Sequence, residues 1–280
     1  SSQGERSVQG STVFYDPSTD SWEEGPKLLT PRADFSLDLL GGSVLACGGL
    51  GAEEQPLADC EALVDGVWTA GPSLGGPRHG HESTRIGEAL LLSGGLDGQG
   101  PVAAIEAVQP GGAERVATLV EPRTDHLAVG VGEALWLIGG IGSEGVLDSV
   151  EVYEGSLRAG PPLHQARARM GGGLLPDGRV VVFGGSPIPE SPDVLALREV
   201  EILEEGAWIA ATRLVKGRYS APTVPLPDGR LAFVGGDSRG KAVQDITSYS
   251  QEDKPARQSS PEDLPSLLEE DPEAPPGVPE

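Results

Sequence analysis

Asparagine is absent from all 280 residues, so the chain carries no N-glycosylation sequon. Lysine is nearly as scarce: Lys27, Lys216, Lys241 and Lys254 stand beside sixteen arginines, a bias that points to a bacterial source. Long hydrophobic runs are missing too, and nothing approaches the roughly 18 apolar residues of a membrane-spanning helix. Positive charge is outnumbered, with 20 Lys and Arg against 43 Asp and Glu, and a net charge of -23 repels phosphate backbones and anionic membrane surfaces. Nucleic acid is therefore not an expected partner. Cys47 and Cys60 are the only cysteines, too few to define a disulfide framework. The chain opens on Ser1 rather than Met, which fits either a processed secreted protein or an excised fragment.

Turn-forming residues are abundant instead. Glycine at 41 and proline at 25 are spread along the whole chain, so many short strands are expected. Apolar runs ending in Gly-Gly recur as Val44 to Gly49, Leu90 to Gly95, Leu135 to Gly140, Val180 to Gly185 and Leu231 to Gly236. Their first glycines stand at 48, 94, 139, 184 and 235, intervals that match one four-stranded propeller blade. An arginine lies 16 or 17 residues ahead of each pair: Arg32, Arg78, Arg123, Arg167 and Arg218. The two longer spacings belong to the units whose turn reads Pro-Asp-Gly, at Pro176 and Pro227, where the others have a shorter Gly-containing turn. Such turns join antiparallel strands, and a longer turn absorbs the extra residue without moving the register. A polar loop of variable length follows each Gly-Gly. A third short strand comes next, as in Ser149 to Tyr153 and Glu199 to Leu203, and then a fourth near Trp68, Val116, Leu157 or Trp208.

The order arginine, apolar hairpin, Gly-Gly, loop, short strand, turn and Trp resembles the kelch repeat. Val13 to Trp22 is similar to its second half, and the resemblance covers roughly residues 11 to 250. It implies an all-β kelch-type β-propeller with about five blades in this chain. Two strands, four units of four and a last unit of three make 21 strands, one more than five closed blades need. The alternative is a six-bladed ring lacking half a blade. Residues 1–257 are assigned to the propeller. Residues 258–280, with seven acidic residues, six prolines and no aromatic, form an acidic Pro-rich tail expected to stay disordered.

His81 and His126 stand three residues after Arg78 and Arg123, where the other units carry Phe35, Met170 and Ala221, so they read as structural strand residues. Glu61, Glu106, Glu151 and Glu201 share one third-strand position and read as solvated or Arg-paired, because the last unit has Thr247 there. The recurrent arginines read as interblade packing or hydrogen-bonding residues. Cys47 ends a second strand and Cys60 takes the third-strand position filled elsewhere by Ile105, Val150, Val200 and Ile246. A disulfide is within reach if the side chains share a face, and two buried free thiols are the alternative.

No His/Asp/Glu cluster has metal-ligand spacing, and no serine nucleophile elbow or phosphate loop is present. Kelch-like propellers include copper radical oxidases, sialic acid mutarotases and iron-using plant specifier proteins. The oxidase set of a Cys-linked Tyr, a second Tyr and two His has no counterpart here, nor does the specifier motif. The resemblance implies binding in general; the preferred reading is a non-catalytic module, a monomer without cofactor or metal, secreted, periplasmic or on the cell surface, that holds a protein or glycan on its loops. An enzyme of oxidase or sugar-epimerase type using the central channel is the rival, and a cytoplasmic adaptor a third reading. Function on loops held by a rigid scaffold directs attention to the loops after each Gly-Gly. The candidate binding residues there are Asp97, Glu144, Ser186, Ile188, Glu190, Asp193, Asp237 and Arg239, with the three-proline stretch Ser186 to Asp193 foremost.

Overall fold

The computed structural model describes residues 8–188 and 196–250. Glu190, Asp193 and the acidic tail lie outside them. Short hairpins stack into four complete blades. Blade 1 comprises Ser36–Leu40, Ser43–Cys47, Asp59–Val64 and Val67–Ser73; blade 2 comprises Glu82–Ile86, Ala89–Ser93, Ala104–Gln109 and Gly112–Thr118. Blade 3 runs through Leu127–Val131, Ala134–Ile138, Val150–Tyr153 and Leu157–Ala159, and blade 4 through Gly171–Leu174, Val180–Phe183, Val200–Glu204 and Ala207–Ala210. Each is an antiparallel sheet with its strands in sequence order. Blade 5 has three strands, Thr223–Pro225, Leu231–Val234 and Ile246–Tyr249. Ahead of blade 1, Val13–Asp16 and Ser21–Glu24 pair as a two-stranded half-blade. Among the described residues the only helical element is the 3-10 turn Ala52–Glu54. The blades and half-blade meet the sequence count of two, sixteen and three strands, and the loops after Gly140 and Gly236 add two short hairpins, Ile141–Gly142 with Gly145–Val146 and Asp237–Ser238 with Lys241–Ala242.

The turns explain the two spacings. In blade 1 Leu40 pairs with Ser43 across Gly41 and Gly42, both at positive φ, so two residues suffice. In blade 4 the amide of Gly178 donates to Leu175 O at 2.9 Å and Asp177 caps the Arg179 amide, so Pro176-Asp177-Gly178 needs one residue more.

Most of the core lies between blades, with one smaller cluster of Leu28, Ala46 and Trp68 on blade 1. Leu45, Cys47 and Cys60 of blade 1 meet Leu90, Leu92 and Val108 of blade 2; Ile105 and Ala107 meet Leu135 and Leu137; Ile138, Val150 and Val152 meet Val180 and Val182; Val181, Phe183 and Val200 meet Leu231 and Phe233. One strand face therefore serves the preceding interface and the other serves the next. Cys47 and Cys60 are directly paired in register and joined as a disulfide. Both are buried, at 0% and 1% exposure.

Candidate functional site

Five arginines organise the face on which the blade linkers and the post-Gly-Gly loops meet. Arg123 shows the pattern. Its Nη1 donates to Gly139 O at 2.9 Å and Ser149 O at 3.1 Å, and its Nη2 reaches Glu151 at 2.9 Å. Arg32, Arg78 and Arg167 repeat this with Glu61, Glu106 and Glu201 at 2.7, 2.5 and 2.5 Å, and all four arginines are at most 3% exposed. The glutamates also accept amides from the incoming linker: Leu29 and Thr30 on Glu61, Gly75 on Glu106, Val120 and Glu121 on Glu151, His164 on Glu201. Each carboxylate thus ties a linker to the next blade. The recurrent Glu position is Arg-paired and buried. In blade 5 the Asp245 carboxylate and the Thr247 hydroxyl take over at Arg218.

The residue after each arginine bridges to the residue after each Gly-Gly, in the pairs Ala33–Leu50, His79–Leu96, Thr124–Ile141, Ala168–Ser186 and Tyr219–Asp237. The next residue in each linker, Asp34, Gly80, Asp125, Arg169 or Ser220, is left-handed, with φ between 50 and 59°. These five form a staircase of backbone bonds: Gly80 N–H donates to Asp34 O, Asp125 to Gly80, Arg169 to Asp125 and Ser220 to Arg169. A cavity of about 1190 Å³ opens inside this arc, lined by contributions from all five blades.

Its wall is acidic. Asp34, Glu54, Glu82 and Asp125 line it, while the Arg169 guanidinium is occupied by Asp125 at 3.0 Å. Glu54 is brought there by the 3-10 turn, in which Glu53 and Glu54 both take φ near 57°, a conformation that costs an L-residue about 1–2 kcal/mol. Burial pushes the Glu82 carboxyl up to about 8, with the nearby Asp125 and Asp38 charges adding to it. His81 is held down at about 3 by burial and then by the Arg78 charge; His126 is held down likewise by burial and Arg123. Both stay neutral near pH 7. The His126 Nε2 meets Ser93 Oγ at 2.9 Å. At His81 the equivalent partner is Cys47, whose sulfur is committed to Cys60. Among the described residues no group of three His, Cys, Asp or Glu is placed to hold a metal ion.

Of the residues singled out from the loops, those among the described residues do not line this cavity. Asp97 folds back on the amides of Gln99 and Gly100. Glu144 is exposed in the turn of the tight Ile141–Val146 hairpin, and Arg239 is exposed in blade 5. Ser186 is buried and donates to Ile188 O at 2.6 Å, and Ile188 is 44% exposed. Asp237 is half-buried next to Tyr219, which does line the cavity. Sequence reasoning passed over the wall because it looked for variable loop length. The signal was in the constant part: the residue two after each arginine.

No family model matches the chain. Over 100 residues it is 37% identical to Kelch domain-containing protein 8B of Rattus norvegicus, covering 34% of this chain and 28% of that protein. It is 38% identical over 99 residues to human Kelch-like protein 34, covering 34% of this chain and 15% of that protein. The chain thus spans less than a third of the length of these curated relatives. A solved structure, "Structure of YjhT", superposes with a TM-score of 0.72 at 15% identity over 90% of this chain and 97% of that one, a likeness of fold.

Proposed function

We propose, from the premise that this chain is a kelch-repeat β-propeller, that it is a protein-interaction module whose partner inserts a basic side chain into the acidic channel mouth. The observation that carries the reading is the cavity lined by Asp34, Glu54 and Asp125 on the loop-bearing face. Fixed carboxylates there favour lysine or arginine, and the net charge of -23 steers a basic partner toward it. Loops carrying Asp97, Glu144, Ile188, Asp237 and Arg239 supply the outer contacts. The Cys47–Cys60 disulfide supports a secreted or cell-surface location, since such bonds persist in oxidising compartments. A glycan is the other ligand class that such a rim of carboxylates and Tyr219 accommodates. Catalysis in the channel has one observation in its favour: Glu82 holds a proton near neutral pH within a cleft.

Panning a displayed peptide library against the chain tests the reading. Enriched peptides should carry Lys or Arg, and Asp34→Lys with Glu54→Lys should weaken capture by tenfold or more, about 1.4 kcal/mol. Peptides without basic residues, or capture indifferent to both substitutions, would overturn it.

A further inference from the structure

Every interface between consecutive blades buries the same positions; the outward face of blade 5 and the first strand of blade 1 leave theirs exposed, while Ala46 and Trp68 of blade 1 are packed with Leu28. The third-strand position that faces the next blade holds Cys60, Ile105, Val150 and Val200, each at most 2% exposed; in blade 5 it is Ile246, at 68%. The matching second-strand position holds Cys47, Ser93, Ile138 and Phe183, each at most 1% exposed, against 39% for Val234. On the opposite flank, a Cβ added to Gly130 or Gly172 would touch the preceding blade at Ile86 or Leu127, which shows where these first-strand positions point. Their counterparts in blade 1, Leu39 and Leu37, are 58% and 60% exposed.

Backbone contacts agree. The second glycine of each pair donates to the arginine carbonyl of the next blade: Gly49 to Arg78, Gly95 to Arg123, Gly140 to Arg167 and Gly185 to Arg218, at 2.8–2.9 Å. Among the described residues Gly236 makes no such bond to Arg32. A Cβ on Gly184 would lie 2.3 Å from Arg218 O, whereas one on Gly235 would meet nothing closer than Val243 O at 3.4 Å. The staircase at the channel mouth likewise stops at Ser220 and Asp34 without a bond between them. Five blades do not close on themselves; one sector is open.

The half-blade lies in that sector, in the register of a third and a fourth strand. Arg32 N–H donates to Gln9 O and Leu28 N–H to Gly10 O, as Arg78 does to Leu57 and Leu74 to Ala58. We infer that the open sector is completed by a sixth hairpin of the same Arg-to-Gly-Gly type, carried by the same polypeptide ahead of the half-blade. In the five units the residue equivalent to Gln9 follows the second glycine by 7 or 8 positions, or by 12 in blade 4; residues 1–9 hold no Gly-Gly, so the sixth pair lies ahead of Ser1 on a loop longer than those of blades 1, 2, 3 and 5. Its second strand pairs with Val13–Asp16, and its faces cover Leu37 and Leu39 on one side and Val234 and Ile246 on the other. A second copy of the chain has no hairpin to lend, because all five of its own are built into blades.

The test compares the 280-residue chain with the polypeptide extended to include what its gene encodes ahead of Ser1. That stretch should contain an arginine followed 16 or 17 residues later by Gly-Gly, and its lack would overturn the inference. Leu37→Asp and Ile246→Asp should each lower the Tm of the extended chain by about 5 °C or more and leave the shorter chain's within about 1 °C. Equal, small effects on both chains would overturn it. If the aspartate variants of the extended chain do not fold, hydrogen exchange on the unsubstituted chains decides: the amides of Val13–Asp16 should gain protection in the extended chain, and unchanged protection would again overturn it. Dimerisation of the shorter chain that Leu37→Asp abolishes would assign the sector to a second copy instead.

Discussion

At the scale of single residues, the buried arginine–glutamate pairs dominate. Each glutamate compensates a guanidinium with almost no solvent and accepts linker amides at the same time, so removing it strands several polar groups together. Glu151→Ala leaves the Arg123 charge and the amides of Val120 and Glu121 without their acceptor. Breaking a buried pair from one side costs about 3–5 kcal/mol. Denaturant unfolding should show a loss of that size, with Glu151→Gln losing less because its amide oxygen still accepts. Protonation gives a second prediction. Below about pH 6.5 unfolded histidines bind protons that folded His81 and His126 refuse down to about pH 3, so stability falls as pH drops through that window. Glu82 works in the opposite sense. It stays protonated in the folded chain up to about pH 8 but ionises from about 4.5 when unfolded, so its contribution is full at acid pH and lost as pH rises across that range. Glu82→Gln should therefore match the parent near pH 5 and exceed it in Tm at pH 8. An advantage that does not grow with pH would mean the carboxyl ionises freely in the channel.

At the scale of the element, the Gly-Gly step is an interblade contact rather than a turn. Gly94 has φ +60° and its missing Cβ would lie 2.2 Å from Arg123 O, a backbone atom already accepting the Gly95 amide. Gly132 has nearly the same φ but open space around it. Gly132→Ala should therefore cost about 1–2 kcal/mol for its dihedral alone, while Gly94→Ala must also push two blades apart and should cost substantially more. Equal losses for both, measured by urea unfolding, would show that the blades yield. The disulfide is an element-scale device too. Cys47 and Cys60 bracket the loop that carries Glu54, and a closed loop of this size removes about 3 kcal/mol of freedom from the unfolded chain in the entropic account.

At the scale of the whole molecule, four of the five hydrophobic clusters join consecutive blades, and the fifth packs Leu28 against Ala46 and Trp68 of blade 1. Unfolding should consequently be concerted. Trp68, Trp136 and Trp208 sit in blades 1, 3 and 4, and their fluorescence should change at the same denaturant concentration as the far-UV circular dichroism. Separated transitions would mean that blades melt one at a time.

The kelch architecture was legible because it repeats. Five arginines at 16 or 17 residues from five Gly-Gly pairs fix hairpin, register and strand number together, since a shift of one residue would turn every apolar side chain to the wrong face. The same spacing identified His81 and His126 as positional and gave the two alternatives for Cys47 and Cys60. Tertiary structure decided what depends on meeting across blades. Whether the cysteines share a face followed from the pairing of their strands, and the partner of each arginine lies 27 to 34 residues away in sequence, on a strand that only the fold brings alongside. The channel mouth was hidden for the same reason. Asp34 and Glu54 of blade 1, Glu82 of blade 2 and Asp125 of blade 3 stand far apart in sequence; Asp34 and Asp125 share the position two after the arginine, but only the stacking of blades gathers these acidic groups around one cavity.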